Sequence, residues 1–150
     1  MRRSAIVLTA VLAAAVLGCL GSPSAGPDAT VRRLLDGARA GDLDAFLECC
    51  DLRALYEGVV APDRRQGLPF EQFVEETRRG LAGKLKPNAE LEYEVQQVDQ
   101  HGPEAVVQIR LRANANAEWV NWKLELLRTG RAWKVTAHGI EALAQQAAPS

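Results

Sequence analysis

The sequence predicts an α+β domain, in which three N-terminal helices pack against a four-stranded antiparallel sheet. Two observations lead to this prediction. Apolar residues recur at helical spacing between residues 28 and 81, and after Pro87 they alternate with polar residues, as they do in half-buried strands. A content of 47% hydrophobic and 25% charged residues is typical of an ordinary globular domain.

The first two predicted helices are short and adjacent. Asp28 can cap the first helix, and Gly41 is a natural end for it. Asp42 can then cap a second helix, which could continue through Leu52 and Leu55. The expected buried faces carry Val31, Leu34, Leu35 and Ala38 in the first helix, and Leu43, Phe46, Leu47 and Cys50 in the second.

A third helix is predicted to begin at Pro69 and to end near the sequence LKPN, where Pro87 forbids continuation. Its apolar positions are Phe70, Phe73, Val74, Thr77 and Leu81. The sequence GVVAPDRRQGL separates it from the second helix, because it interrupts the helical period.

The four predicted strands form a meander with one apolar face. The connections between them are DQHGP, NAN and RTGR. The inward positions are Leu91, Tyr93 and Val95; Ala105, Val107, Ile109, Leu111 and Ala113; Val120, Trp122, Leu124 and Leu126; and Trp133, Val135 and Ala137. An apolar sheet face must be buried against another element, and the apolar faces of the helices can supply that contact.

Two stretches resemble the NTF2-like superfamily, a group of cone-shaped α+β domains. VRRLLDGARAGDLDAFLECCD is similar to the first two helices of that fold, and WKLELLRTGRAWKVTAHGI is similar to its last hairpin. The resemblance implies an NTF2-like domain over residues 28–140, followed by a C-terminal tail over residues 141–150. It also implies a curved sheet that can enclose a pocket with the helices, in which the family's enzymes place Asp and His or Tyr.

The inward positions of the last three strands contain no titratable side chain. General acid or base catalysis needs one within reach of the substrate, so no catalytic residue is predicted. His138 falls on the outward side. If a pocket exists, its expected lining is apolar, with Tyr93 as the main hydrogen-bonding group beside Val107, Ile109, Trp122, Leu124 and Trp133.

No metal, cofactor or nucleic-acid site is predicted. The two histidines lie 37 positions apart, no zinc-ligand spacing occurs, and no glycine-rich phosphate loop follows a strand. A net charge of −1 and a pI of about 6.1 do not suit nucleic acid. Cys49 and Cys50 are expected to be a packed, reduced pair, because a disulfide between adjacent residues is strained.

The N-terminus has the layout of a secretory leader over residues 1–18. Arg2 and Arg3 precede an uncharged apolar stretch of 13 residues, which is too short to span a membrane. The tetrad VLGC, ending at Cys19, resembles the lipobox of bacterial lipoproteins. That resemblance implies cleavage before Cys19 and attachment of a diacylglyceryl group to its thiol. The alternative is a soluble exported protein, cleaved after Gly21.

Residues 19–27 are then the lipidated cysteine and a flexible tether rich in Gly, Ser and Pro. The expected location is the bacterial cell envelope, anchored by lipid. Leu20 follows the cysteine where retained inner-membrane lipoproteins tend to carry aspartate, so the periplasmic side of the outer membrane is expected in a Gram-negative cell.

The favoured function is that of a lipid-anchored, non-catalytic envelope protein, which binds an apolar small molecule or a partner protein. One alternative is a small NTF2-like enzyme of the dehydratase or isomerase type. Another is a structural or assembly module that dimerises through the outer sheet face, where Trp119 stands among the polar residues Arg110, Arg112, Lys123 and Glu125. Trp119 is either an interface anchor or a strand-end residue covered by a loop.

Overall fold

A computed structural model describes residues 25–136 of the protein. The predicted leader, Cys19 and most of the tether precede this range, while Ala137, His138 and the predicted tail follow it. The described chain contains the helices α1 (Pro27–Ala40), α2 (Leu43–Glu48), α3 (Leu52–Val59) and α4 (Phe70–Ala82), a 3₁₀ turn (Pro62–Arg64), and the strands β1 (Glu92–His101), β2 (Glu104–Arg112), β3 (Val120–Thr129) and β4 (Ala132–Val135). The predicted α+β fold, with helices packed on a four-stranded antiparallel sheet, is confirmed.

Helix α1 begins one residue before the predicted cap. Gly26 is its N-cap and Pro27 its first helical residue, so Asp28 lies inside the first turn. Proline is favoured there because its missing N–H would have no partner, and an acidic side chain interacts well with the helix dipole. At the other end Gly41 adopts a left-handed conformation, with φ of 69°, as predicted for a helix stop.

The predicted second helix is two helices, so the described chain has four α-helices rather than three. Helix α2 ends at Glu48, and residues 49–51 run beside β4. The Val135 N–H donates to Cys49 O at 2.8 Å, and the Asp51 N–H donates to Val135 O at 2.9 Å. Asp51 then caps α3, because its carboxylate accepts a hydrogen bond from the Ala54 N–H at 2.9 Å.

Helix α4 begins at Phe70, one residue after the predicted start, because Pro69 is its N-cap, and the helix packs less deeply than expected. No residue of α4 is fully buried, and its apolar side chains are half-buried. Tyr56 of α3 contacts Phe70 and Phe73, with ring centroids 5.5 and 5.3 Å apart. The helix therefore rests mainly on α2 and α3 rather than on the sheet.

The sheet is an antiparallel meander in the order β1-β2-β3-β4. A register shift between Val95 and Gln97 marks a β-bulge in β1. Because the bulge adds one residue, Val98 lies opposite Val107, and the strand continues to His101. The predicted DQHGP turn is thus too long, since only two residues connect the strands.

The core lies between α1 and the inward face of the sheet. Val31 and Leu34 of α1 have no exposed surface, and neither do Val107, Ile109 and Leu124 of the sheet. These inward positions follow the predicted alternation of β2, β3 and β4. No polar or charged residue is fully buried within residues 25–136.

Replacing Gly41 with alanine is expected to lower the free energy of unfolding by more than about 1 kcal/mol, because a left-handed conformation is unfavourable for a residue with a Cβ. That Cβ would also lie 2.7 Å from Cγ of Pro87. Gly80, inside α4, supplies the control, because a Cβ added there would meet nothing within 4 Å outside the backbone of its own helix. Gly80→Ala should raise stability by about 0.5–1 kcal/mol. Urea denaturation gives the sign of the change in the free energy of unfolding for each variant. Equal changes in the two variants would contradict the left-handed conformation observed at Gly41.

Candidate functional site

The residues predicted to line a pocket belong mostly to the packed core. Val107, Ile109 and Leu124 are fully buried, and Trp133 is 7% exposed. Together with side chains from α1 and α2 they form one hydrophobic cluster. The structure therefore brings these four residues together as a core.

Tyr93 and Trp122 lie at the margin of this cluster, where both are half-buried. The Tyr93 hydroxyl donates a hydrogen bond to Asp36 Oδ1 of α1 at 2.8 Å. Burial, with a smaller contribution from that hydrogen bond, raises the pKa of Tyr93 above its usual value. The hydroxyl is thus engaged in joining the sheet to α1 and stays protonated at neutral pH.

The outer face of the sheet carries two ion pairs between β1 and β2. The Arg110 guanidinium lies 2.6 Å from Glu94, and Arg112 Nε donates to Glu92 at 3.0 Å. Each arginine lies directly opposite its glutamate in the strand register. All four side chains remain partly exposed, so water and salt weaken these pairs.

Trp119 packs on both of these arginines. The guanidinium carbons of Arg110 and Arg112 lie 4.6 and 4.7 Å from the centre of its ring, within the range of cation–π attraction. The indole is half-buried, directly before β3. We call Trp119, Arg110, Arg112, Glu92 and Glu94 the Trp119 cluster.

A groove of about 450 Å³ lies next to this cluster on the outer face. We call it the outer groove, and its polar lining consists of Gln96, Gln108, Arg110, Asn121 and Lys123. The amides supply both donors and acceptors, and Lys123 adds a cation that favours anionic groups, whereas Arg110 is already paired with Glu94. Gln96 stands at the bulge of β1, and bulges commonly re-aim a side chain. This lining can bind a polar or acidic surface.

Sequence reasoning identified Trp119, Arg110, Arg112 and Lys123 as outer-face residues but missed the groove. The alternating pattern does place Gln96 and Gln108 on the outward side. Nothing in the pattern marks the bulge that sets Gln96 opposite this part of β2. A second concavity of about 470 Å³ lies on α1 and α2, and it includes three charged side chains of α1, Arg32, Arg33 and Asp36.

Cys49 and Cys50 are free and buried, with 4% and 6% of their surfaces exposed. Burial is the main cause that raises the pKa of both thiols, and it raises that of Cys50 to about 12. Their S–H groups donate to the carbonyls of Ala45 and Phe46, one turn earlier. This agrees with the predicted packed, reduced pair.

In a chain carrying Cys19→Ala, the remaining two thiols are expected to react slowly with a thiol reagent at pH 7. The raised pKa values leave almost no thiolate, and the thiolate is the reactive form. Labelling should become fast only in denaturant, with absorbance or mass as the readout. Rapid labelling of both thiols in the folded protein would contradict the packed, reduced pair.

The described residues contain neither a metal-ligand cluster nor a membrane-spanning helix. Within residues 25–136, no three His, Cys, Asp or Glu side chains are grouped so as to hold a metal ion. No helix in this range is long and apolar enough to cross a membrane. His101 is exposed at the end of β1, rather than in the predicted turn.

Solved structures similar to this chain share only 13–18% of its sequence. An NTF2-like protein of Campylobacter jejuni, named as a candidate transpeptidase, has a TM-score of 0.46 at 13% identity and covers 75% of this chain and 98% of its own. An NTF2-like protein of unknown function from Shewanella baltica has a TM-score of 0.48 at 16% identity, covering 73% and 86%. An uncharacterised cystatin-fold protein from Novosphingobium aromaticivorans has a TM-score of 0.47 at 18% identity, covering 75% and 97%.

No protein-family model matches the chain, and no curated protein sequence does. Two of the structures just described carry the name of the NTF2-like group that the sequence motifs resemble. Because every TM-score is below 0.5, these likenesses support no inference about a ligand, a reaction or a partner.

Proposed function

We propose that this protein is a lipid-anchored, non-catalytic module of the bacterial cell envelope, which binds a partner protein through the outer face of its sheet. The observation that carries this proposal is the contrast between the two faces. The inward face is filled by packed side chains, whereas the outer face presents the Trp119 cluster beside the outer groove.

The packing disfavours an apolar ligand held inside the domain. Val107, Ile109 and Leu124 have no exposed surface, and Trp133 is nearly buried. A small molecule would have to displace them, and core packing resists such changes at a cost of roughly 1–3 kcal/mol for each poorly fitted group. Binding at the surface needs no such rearrangement.

The outer face has the chemistry of a protein-binding surface. Tryptophan and arginine are enriched among the residues that dominate protein interfaces. Trp119 is held by two arginines, so little side-chain freedom remains to be lost on binding. The amides of the outer groove and Lys123 can then pair with polar groups of the partner.

The lipobox resemblance at Cys19 supports the lipid anchor, and the start of α1 sets how far the domain can lie from the membrane. The eight residues from Leu20 to Pro27 span at most about 30 Å when extended. Because α1 begins at Pro27, the domain would lie close to the membrane surface.

A photo-crosslinking residue placed at Asn121, in the outer groove, tests this proposal in the native envelope. One adduct of defined mass is expected, and Trp119→Ala should reduce it strongly. A crosslinker at Glu57, exposed on α3, is the matched control and should give no such adduct. An adduct of twice the chain mass would identify the partner as a second copy. Equal adducts at both positions, or none at Asn121, would refute the outer-face surface.

A further inference from the structure

Helix α1 connects the two ends of the sheet. Near its start, the Thr30 hydroxyl donates a hydrogen bond to Trp133 O at 3.4 Å. Near its end, the Asn88 N–H donates to Arg39 O at 2.9 Å, and the Asn88 side-chain amide donates to Ala113 O at 3.0 Å. The helix therefore runs from the end of the sheet beside Trp133 to the end beside Ala113.

We call the end beside Trp133 the tether end, because the chain enters α1 there through Gly26. The turns between β1 and β2 and between β3 and β4 lie at the same end, since the sheet is a meander and Trp133 follows the second turn. Trp119 precedes β3 and lies at the opposite end. The ten residues of β3 separate the two ends by about 30 Å.

The β3–β4 turn presents two arginines at the tether end. Arg128, in the last turn-facing part of β3, and Arg131, in the turn itself, are both exposed. Among the described residues, no ion pair includes either of them. The carboxylates at this end, Asp28 and Glu104, belong to α1 and β2. The tip of the hairpin, residues 128–132, therefore carries positive charge alone.

We propose that the tether end faces the membrane, and that Arg128 and Arg131 contact the headgroups of anionic phospholipids. This inference rests on the proposed lipid anchor at Cys19. The eight residues from Leu20 to Pro27 span at most about 30 Å. To bring the opposite end of the sheet to the membrane, they would have to run beside the domain over nearly its whole length. Each basic side chain close to an anionic surface also favours contact about five-fold.

This orientation keeps the proposed binding surface accessible. The Trp119 cluster lies at the opposite end of the sheet, because Trp119 precedes β3, Arg112 ends β2 and Glu92 begins β1. A partner protein could therefore approach it from the side away from the membrane.

Fluorescence quenching in vesicles tests the orientation. The mature chain, acylated at Cys19, is placed in vesicles of phosphatidylcholine and phosphatidylglycerol that include a lipid with a nitroxide on its headgroup. A fluorophore is attached through Thr129→Cys at the tether end or, as the matched control, through Ala115→Cys at the opposite end, since both positions are exposed. Strong quenching is expected at residue 129 and little at residue 115, because quenching needs close approach of the nitroxide.

The role of the two arginines is tested in the same vesicles. Arg128→Gln combined with Arg131→Gln should lower the quenching at residue 129 to its value in vesicles of phosphatidylcholine alone. Lys84→Gln combined with Lys86→Gln is the matched control, because both lysines are exposed in the connection after α4. This control should leave the quenching unchanged.

The intact mass of the same preparation reports its acyl groups and separates the possible failures. Equal quenching at residues 129 and 115 of an acylated chain would overturn the orientation while leaving the anchor in place. Quenching at residue 129 that does not depend on phosphatidylglycerol would overturn the contact between the arginines and the headgroups. A native chain without acyl groups would refute the anchor, and this orientation with it.

Discussion

Replacing Trp133 with alanine is expected to lower the free energy of unfolding by about 3–5 kcal/mol, the usual cost of truncating a large core aromatic. Trp133 lies on the inward face of β4, only 7% of its surface is exposed, and it belongs to the main hydrophobic cluster. Urea denaturation gives the value, provided that the slope of the transition stays unchanged.

Trp119→Ala is the matched control, because the same side chain is removed from the opposite face of the sheet. Its main contacts in the structure are the two guanidinium groups, each worth about 0.5–1 kcal/mol at an exposed site. The expected loss is therefore well below that at Trp133. Equal losses in a monomeric preparation would contradict the assigned faces, since a shift of one residue exchanges them.

Replacing Cys19 with alanine is expected to abolish lipid modification and to move the protein from the membrane to the soluble fraction. The lipobox resemblance implies that the Cys19 thiol receives the diacylglyceryl group, and two or more chains are needed for firm anchoring. The domain should remain folded, because Cys19 precedes the described fold. Intact mass and membrane fractionation are the readouts, with circular dichroism as the control for folding.

The mass of the mature protein separates the two predicted routes of export. The lipoprotein route leaves a chain that starts at Cys19 and carries acyl groups. The alternative route leaves an unmodified chain that starts at Ser22. Acyl mass retained by the Cys19→Ala variant would contradict the anchor.

The sequence was most informative where burial follows a regular period. The buried residues of α1 and most of the alternation along β2, β3 and β4 were predicted correctly, because each side chain faces either the core or the solvent. Val120, predicted to face inward at the start of β3, is instead 41% exposed. Gly41 and Asp42 were also predicted correctly as helix boundaries. Both act through local backbone geometry, which a short sequence determines.

Features set by distant pairing could not be predicted in this way. Residues 49–51 leave the helix because they bond to Val135, which lies more than 80 residues later. The bulge after Val95 likewise depends on the register between β1 and β2. The outer groove combines side chains from three strands, so its shape follows from that register and not from any local motif.

Native mass spectrometry of the protein, extracted with its own membrane lipids, tests the central claim most directly. We predict a chain beginning at Cys19 that carries acyl groups, bound to a protein partner and holding no small apolar molecule. Trp119→Ala should release the partner and leave the acyl groups in place. A chain without acyl groups that retains a small apolar molecule would contradict both the anchor and the outer-face binding surface.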